Sequence, residues 1–263
     1  MNHRPRRPRK RFGQNFLHDP GIIQRIIQAI SPIPGDNLVE IGPGQGAITT
    51  ELLPLVGTMQ VIELDRDLIN PLAVTCQSLG KLQIHNADAL KFDFTALTEN
   101  DRLLRVVGNL PYNISTPLLF HLLDQSACIQ DMHFMLQKEV VDRMAAEPGS
   151  KRYGRLSVTL QARAEVTPLF SIGPGAFNPP PKVDSAFVRL IPYDAPIYQI
   201  ENWDDFGHLV AQAFSQRRKT LRNCLKKTLT SEAIESAGID PGVRAESLSI
   251  ENFATLANIF SRQ

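Results

Sequence analysis

The chain has 263 residues, 43% of them hydrophobic, and a formal net charge of +1, enough for one large domain or a medium domain with a small appendage around a substantial core. No run approaches the roughly 18 consecutive apolar residues of a membrane span, and no apolar stretch follows the basic N-terminus as a secretory signal requires. Cys76, Cys128 and Cys224 lie far apart without a CxxC pair, which argues against a disulfide framework or zinc site and fits a reducing cytoplasm.

The charge is unevenly spread. Arg4, Arg6, Arg7, Arg9, Lys10 and Arg11 precede the first acid, Asp19, so 22 cations face 27 acids in the remainder. A basic arm on a slightly acidic body reads equally as a local contact to a polyanion or as a solubilising tail.

Behind Asp19-Pro20, a helix-start signal, Ile22, Ile23, Ile26, Ile27 and Ile30 recur at helical spacing. Strand-like runs at Asn37–Ile41, Met59–Leu64, Lys81–His85, Leu103–Val107 and Met132–Leu136 then alternate with helical stretches near 46–55, 66–79 and 115–124. Strands separated by helices predict an α/β fold, a mostly parallel Rossmann-like sheet covered on both faces. Residues 156–163 are ambiguous, because Leu156, Val158 and Leu160 also alternate as in a strand. Ser185–Ile191 reads as a last, antiparallel strand, and Pro192 to Pro196 as a linker. Beyond it Phe206, Leu209, Val210, Ala213, Phe214, Leu221 and Leu225 keep a helical period. The expected organisation is a basic arm over 1–18, an α/β domain over 19–195 and a small all-helical domain over 200–263.

Val39-Glu40-Ile41-Gly42-Pro43-Gly44-Gln45-Gly46-Ala47 is a strand running into a glycine turn and then a helix. Such a turn lets a ligand approach bare backbone. It also satisfies the looser dinucleotide pattern G-x-G-x-x-A. Glu63 ends the second strand, where a carboxylate can accept both hydroxyls of a ribose, and Asp88 follows the third, placed for an adenine amine. Each alone reads equally as a solvated acid; together they line one crevice at the carboxyl ends of successive strands. A dinucleotide would use Glu63 as well.

Asn109-Leu110-Pro111-Tyr112 follows the fourth strand and separates these readings. Pro111 stiffens the turn and biases Leu110 towards an extended backbone. The Asn109 side-chain oxygen and an adjacent main-chain carbonyl can then point together into the cleft. An aromatic amine is a poor nucleophile until both its N–H groups are held and its nitrogen can pyramidalise. A sulfonium methyl donor is already activated, so two acceptors that stabilise the cationic nitrogen suffice. Tyr112 offers a face on which an extruded base can stack.

At these residues the chain resembles the KsgA/RsmA family of ribosomal RNA adenine dimethyltransferases. The resemblance runs from Arg11 to about Ser261 and includes Gln14-Asn15-Phe16-Leu17, the Glu40–Gly46 loop, Val61–Asp65 and Asn109–Pro117. It continues through Met135–Val140, Tyr153–Ser157, Phe177–Ser185 and Phe214–Thr220. It implies a class I methyltransferase that uses S-adenosyl-L-methionine as methyl donor, needs no metal, is independent of membranes and acts as a monomer. Asn15 and Leu17 would touch the methionine end of the cofactor with Gly42 beneath it; Glu63 would hold the ribose and Asp88 the adenine. Asn109 would sit between cofactor and target amine, with Leu110 beside it and Tyr112 and Phe177 sandwiching the target base. The implied substrate is a pair of adjacent adenosines in the 3′-terminal hairpin loop of 16S rRNA, each dimethylated in an assembling small ribosomal subunit. Relatives that modify 23S rRNA share the chemistry, but Leu110 and the Pro179–Ser185 run favour the 16S branch. The resemblance also favours a helix over 156–163.

Arg217, Arg218, Lys219, Arg222, Lys226 and Lys227 fall in one predicted helix, where Arg218, Arg222 and Lys226 stand four apart in a stripe facing away from Phe214, Leu221 and Leu225. No acid lies between Phe206 and Ser231, so this face lacks salt-bridge partners of its own, and RNA phosphate contact is preferred to a solvated face. Arg7, Arg9 and Arg11 are expected to contribute likewise. A dinucleotide oxidoreductase leaves Asn109–Tyr112 and the basic helix unexplained; a non-catalytic assembly factor has no need of the crevice; and the residues that carry the chemistry do not by themselves separate RNA from DNA.

Overall fold

The computed structural model describes residues 15–98 and 102–263. One compact unit comprises the described part of Met1–Val141 with Thr167–Pro192, the other Asp142–Val166 with Tyr193–Gln263. Among the described residues no helix is long and apolar enough to cross a membrane.

The first unit is built on a seven-stranded sheet. Its strands are β2 (Asn37–Ile41), β3 (Thr58–Ile62), β4 (Lys81–His85), β5 (Leu104–Asn109), β6 (Ile129–Gln137), β7 (Ala164–Ile172) and β9 (Ser185–Pro192), in spatial order β4-β3-β2-β5-β6-β9-β7. The pairs β2–β3, β3–β4, β2–β5 and β5–β6 are parallel, and β9 joins β6 antiparallel with Phe134 opposite Val188. Helices α1 (Pro20–Ile30), α2 (Thr49–Val56), α3 (Arg66–Cys76), α4 (Ser115–Leu123) and α5 (Lys138–Met144) connect the strands. A two-residue strand β1 (Phe16–Leu17) pairs antiparallel with β8 (Phe177–Asn178), a small second sheet the periodicity does not reveal. The α/β expectation therefore holds, with the late antiparallel strand where it was placed; β7 was not foreseen.

Helix α1 shows how the sequence fixes its ends. Asp19 accepts the Ile22 N–H at 3.0 Å and Pro20 occupies the first turn, where its missing N–H costs nothing. At the other end Arg105, 8% exposed, donates to the Ile30 carbonyl at 2.7 Å and the Ser31 carbonyl at 3.4 Å. The same guanidinium bonds both Asp131 oxygens, at 2.9 to 3.1 Å, and Asp36 at 2.7 Å. One buried cation thus satisfies orphan helix carbonyls and two carboxylates at once. Ile26, Ile27 and Ile30 pack with Leu38, Val61, Val107 and Phe187 in the core.

The second unit is helical, with α6 (Arg155–Gln161), α7 (Trp203–Ala213), α8 (Leu221–Cys224), α9 (Ser231–Ser236) and α10 (Ile250–Ser261). The ambiguous 156–163 segment is thus a helix, and it belongs to this unit and not to the α/β domain as the 19–195 boundary supposed. The reason is packing: Ala146, Tyr153, Val158 and Ala162 share one core with Phe206, Leu209, Val210 and Phe253.

The single basic helix is also corrected. Helix α7 ends at Ala213, Arg218 lies in a turn, α8 is four residues long, and Lys226 lies in the turn after it. Ser215 turns both its N–H and its hydroxyl onto the Gln212 carbonyl, competing with helix continuation. Arg217-Arg218-Lys219 crowds like charges, of which Arg217 pairs with Glu246 at 3.5 Å. The N–H groups of Leu221 and Arg222 bond instead to the carbonyls of Val243 and Pro241. Leu221 and Leu225 are fully buried, so the apolar period reports burial of the segment without one continuous helix.

Replacing Arg105 by Ala strands two carboxylates and the α1 carbonyls in a dry environment, and should destabilise the protein by about 3–5 kcal/mol. Urea denaturation measures this, and a loss below about 1 kcal/mol would show that the network is dispensable.

Candidate cofactor and substrate cleft

A cleft opens at the carboxyl ends of β2, β3 and β5, where the strand order reverses between β2 and β5 and two loops must part. Its walls include Asn15, Gly42, Glu63, Asp88, Asn109 and Tyr112. The glycines of the first turn divide the work. A Cβ at Gly42, whose φ is 68°, would meet nothing within 4 Å, so this turn presents bare backbone to the cavity. A Cβ at Gly46 would lie 2.7 Å from Leu72 Cδ1 on α3, and one at Gly44 would lie 3.1 Å from the Phe16 ring.

Glu63 follows β3 and is 6% exposed. Its Oε2 accepts the Gly44 N–H at 3.2 Å and its Oε1 the Asp65 N–H at 2.7 Å. Burial pushes its carboxyl pKa upward against those two bonds. Each oxygen retains acceptor capacity for a hydroxyl. Asp88 is half-buried, and its Oδ1 accepts the Leu90 N–H at 3.0 Å.

Asn109 ends β5, and its Nδ2 donates to the Asn15 carbonyl at 3.0 Å. Since the amide is planar, holding its nitrogen there turns Oδ1 the opposite way as an acceptor. The Leu110 N–H donates to the Met135 carbonyl at 3.3 Å. Tyr112, half-buried, shares a 2.8 Å hydrogen bond with the Ser185 hydroxyl, and burial raises its phenol pKa.

Most of the expected residues therefore come together: Asn15, Leu17, Gly42, Glu63, Asp88, Asn109, Leu110 and Tyr112 all line one cleft. Phe177 does not. It is 3% exposed, pairs with Leu17 across β1–β8 and packs into the apolar core, so the expected second face of the base sandwich lies behind the wall. Arg218, Arg222 and Lys226 are exposed in the helical unit and have no ion-pair partner among the described residues. Arg7, Arg9 and Arg11 lie outside the described residues.

Sequence reasoning passed over Glu40. It lines the cleft, is 2% exposed, and accepts the Thr49 hydroxyl at 2.6 Å. The available signal was a lone acid inside an apolar strand immediately before the glycine turn. Burial pushes its carboxyl up to about 7, with the Thr49 bond opposing and Glu63 reinforcing the shift.

The order reversal, the bare glycine turn and the acids at successive strand ends define an α/β enzyme of the class I methyltransferase type. The model of the family described as "Ribosomal RNA adenine dimethylase" matches residues 6–262, and the chain belongs to that family. It is 56% identical over 256 residues to the "Ribosomal RNA small subunit methyltransferase A" of Nitrosococcus oceani, covering 97% of each. Among solved structures it resembles a dimethyladenosine transferase from Plasmodium falciparum, with TM-score 0.80 and 29% identity over 94% of this chain and 97% of that one. The 23S rRNA methyltransferase ErmE, with TM-score 0.74 and 23% identity over 94% of this chain and 100% of that one, shares the fold. The protein is an S-adenosylmethionine-dependent methyltransferase.

Because the Glu40 carboxyl stays protonated well above its unfolded value of 4.5, its contribution to stability is complete below that pH and is lost as pH rises through about 7. Glu40→Gln should remove this slope. Wild type should lose stability relative to the variant between about pH 5 and pH 8, on the order of 3 kcal/mol. Urea midpoints of the ligand-free proteins at both pH values test it, and parallel profiles would refute it.

Proposed function

We propose that the protein transfers methyl groups from S-adenosylmethionine to the exocyclic amines of two adjacent adenosines in the 3′-terminal hairpin loop of 16S rRNA, within the assembling small subunit. The observation that carries the chemistry is the Asn109 amide, anchored through its nitrogen on the Asn15 carbonyl at 3.0 Å so that its oxygen is free to accept. Similarity to small-subunit methyltransferases at 56% identity favours 16S over 23S RNA, since likeness to ErmE at 23% identity speaks to fold alone.

The cleft fits the cofactor. Gly42 allows close backbone approach, Glu63 offers two acceptors to a ribose diol, and Asp88 offers one to an adenine amine. Glu40 and Glu63, whose carboxyl pKa values are both raised by burial, would be drawn towards their ionised forms by a cationic ligand. When bound, the cofactor supplies an activated methyl group on sulfur. Asn15 and Leu17 border its methionine end. Asn109 Oδ1 and the Leu110 carbonyl hold the two N–H groups of the target amine and stabilise the positive charge that grows on nitrogen as it attacks. Tyr112 stacks on the extruded base, which has left its helix to reach the cleft. Arg218, Arg222 and Lys226 meet RNA phosphates, as does the arm carrying Arg7, Arg9 and Arg11. Labelled methyl transfer to immature small subunits, naked 16S and 23S RNA and DNA in parallel, followed by nucleoside analysis, tests the assignment; dimethyladenosine in 23S RNA or in DNA instead would defeat it.

Asn109→Ala should lower single-turnover methyl transfer by roughly a hundredfold, about 3 kcal/mol, with little change in RNA affinity. Weaker RNA binding at an undiminished rate would remove Asn109 from the chemistry.

Phosphate contacts release counterions, so each one lost lowers the salt dependence of binding by about one unit of slope. The triple replacement of Arg218, Arg222 and Lys226 by Ala should reduce both affinity for the small subunit and that slope, with S-adenosylmethionine affinity unaltered. An unchanged slope would mean that these cations are merely solvated.

A further inference from the structure

Ser185 opens β9 and is fully buried. Its backbone is fixed by the sheet, opposite Gln137 of β6, and the neighbouring Asp184 carbonyl accepts the Lys138 N–H at 2.9 Å. A hydroxyl in so closed a place requires a partner, and it has one 73 residues away in sequence, the Tyr112 phenol at 2.8 Å.

Tyr112 is placed quite differently. It sits in the loop between β5 and α4, held by a Leu110-to-Met135 backbone bond at 3.3 Å and an Ile114-to-Pro111 bond at 3.1 Å, with Ser115 Oγ 3.2 Å from its own carbonyl. None of these bonds fixes the ring. A tyrosine ring turns about two side-chain torsions, and its attitude is determined only when the far end is tethered as well. The far end here is tethered to a fully buried hydroxyl whose backbone is paired with β6.

We propose that Ser185 is a positioning residue for methyl transfer: its hydroxyl pins the Tyr112 phenol so that the ring presents a fixed face to the target base. The proposal rests on the reading of Tyr112 as the stacking face. The bond does a second thing. The exposed stretch 182–184 ends at Ser185 and Phe177, on the other side of the proline run, pairs with Leu17, so the loop is anchored at both ends to residues that line the cleft or pack behind its wall. Serine suits the site because it combines a hydroxyl with a volume small enough for a position with no exposed surface. Alanine there would leave the phenol without its partner, while phenylalanine at 112 would leave the stacking ring intact but free to turn.

The test is a double-mutant cycle on Ser185→Ala and Tyr112→Phe, with Tyr112→Ala alongside. Single-turnover rates are read at saturating S-adenosylmethionine and small-subunit substrate, and cofactor affinity by calorimetry. Each single variant should lose roughly tenfold in rate through misalignment of the base, with cofactor affinity unchanged. The double variant should be no slower than either single one, since both remove the same bond. Tyr112→Phe leaves β9 untouched, so it decides the matter even if Ser185→Ala folds poorly. A wild-type rate in Tyr112→Phe, or losses that multiply in the double variant, would overturn the pinning role. A wild-type rate in Tyr112→Ala would instead remove the stacking reading on which it rests.

Discussion

The cleft depends on how closely β5 runs beside β2 at the point where the chain reverses its order. At Gly108 an added Cβ would lie 2.6 Å from the Ile41 carbonyl oxygen, a contact with backbone that no side-chain motion can relieve. Any other residue would wedge the strands apart one residue before Asn109 and one before Gly42. The glycine therefore sets the distance between the Gly42 turn and the Asn109 loop. Methyl transfer requires donor and acceptor atoms almost in contact, so on the proposed reading of the site this strand spacing bears directly on the reaction.

Two buried carboxyls stand at the walls of this cleft. Glu40 and Glu63 both lie almost out of water at its walls, and each carries a carboxyl raised by burial. Hydrogen bonds from Thr49, Gly44 and Asp65 hold them in place, so they need no reorganisation when a ligand arrives. In the empty protein this arrangement is unfavourable at neutral pH. Positive charge brought beside the two carboxyls would favour their ionised forms.

Much of this was legible in the sequence because it follows local rules. The strand and helix periods placed the sheet, Asp19-Pro20 marked the start of α1, and Gly42, Glu63, Asp88 and Asn109 fell at strand ends, where parallel sheets bind ligands. What escaped depends on contacts distant in sequence. The β1–β8 pair joins residues 16–17 to 177–178, and two-residue strands carry no period. The Arg105 cluster brings together Ile30, Asp36 and Asp131, none of which signals the others. Phe177 belongs to a motif whose resemblance placed it on the base, yet its strand partner turns it into the core. The break after Ala213 was hidden because Leu221 and Leu225 stay buried whether or not the helix continues.

The same long-range contacts explain why Asn15–Leu17 matters despite having almost no secondary structure of its own. Its Asn15 carbonyl orients the Asn109 amide, Phe16 packs on Gly44, and Leu17 pairs with Phe177. This short segment thereby touches the glycine turn, the Asn109 loop and the strand leading into the proline run. Two residues of pairing fix little by themselves, and burial of Leu17 in the core and the His18 N–H bond to the Ala176 carbonyl at 2.9 Å add to it. On the proposed reading, cofactor contacts at Asn15 and Leu17 would consolidate the carbonyl that holds the Asn109 amide. On the proposed reading of the site, the methyl donor and the amine acceptor would meet at one backbone oxygen, the Asn15 carbonyl that holds the Asn109 amide.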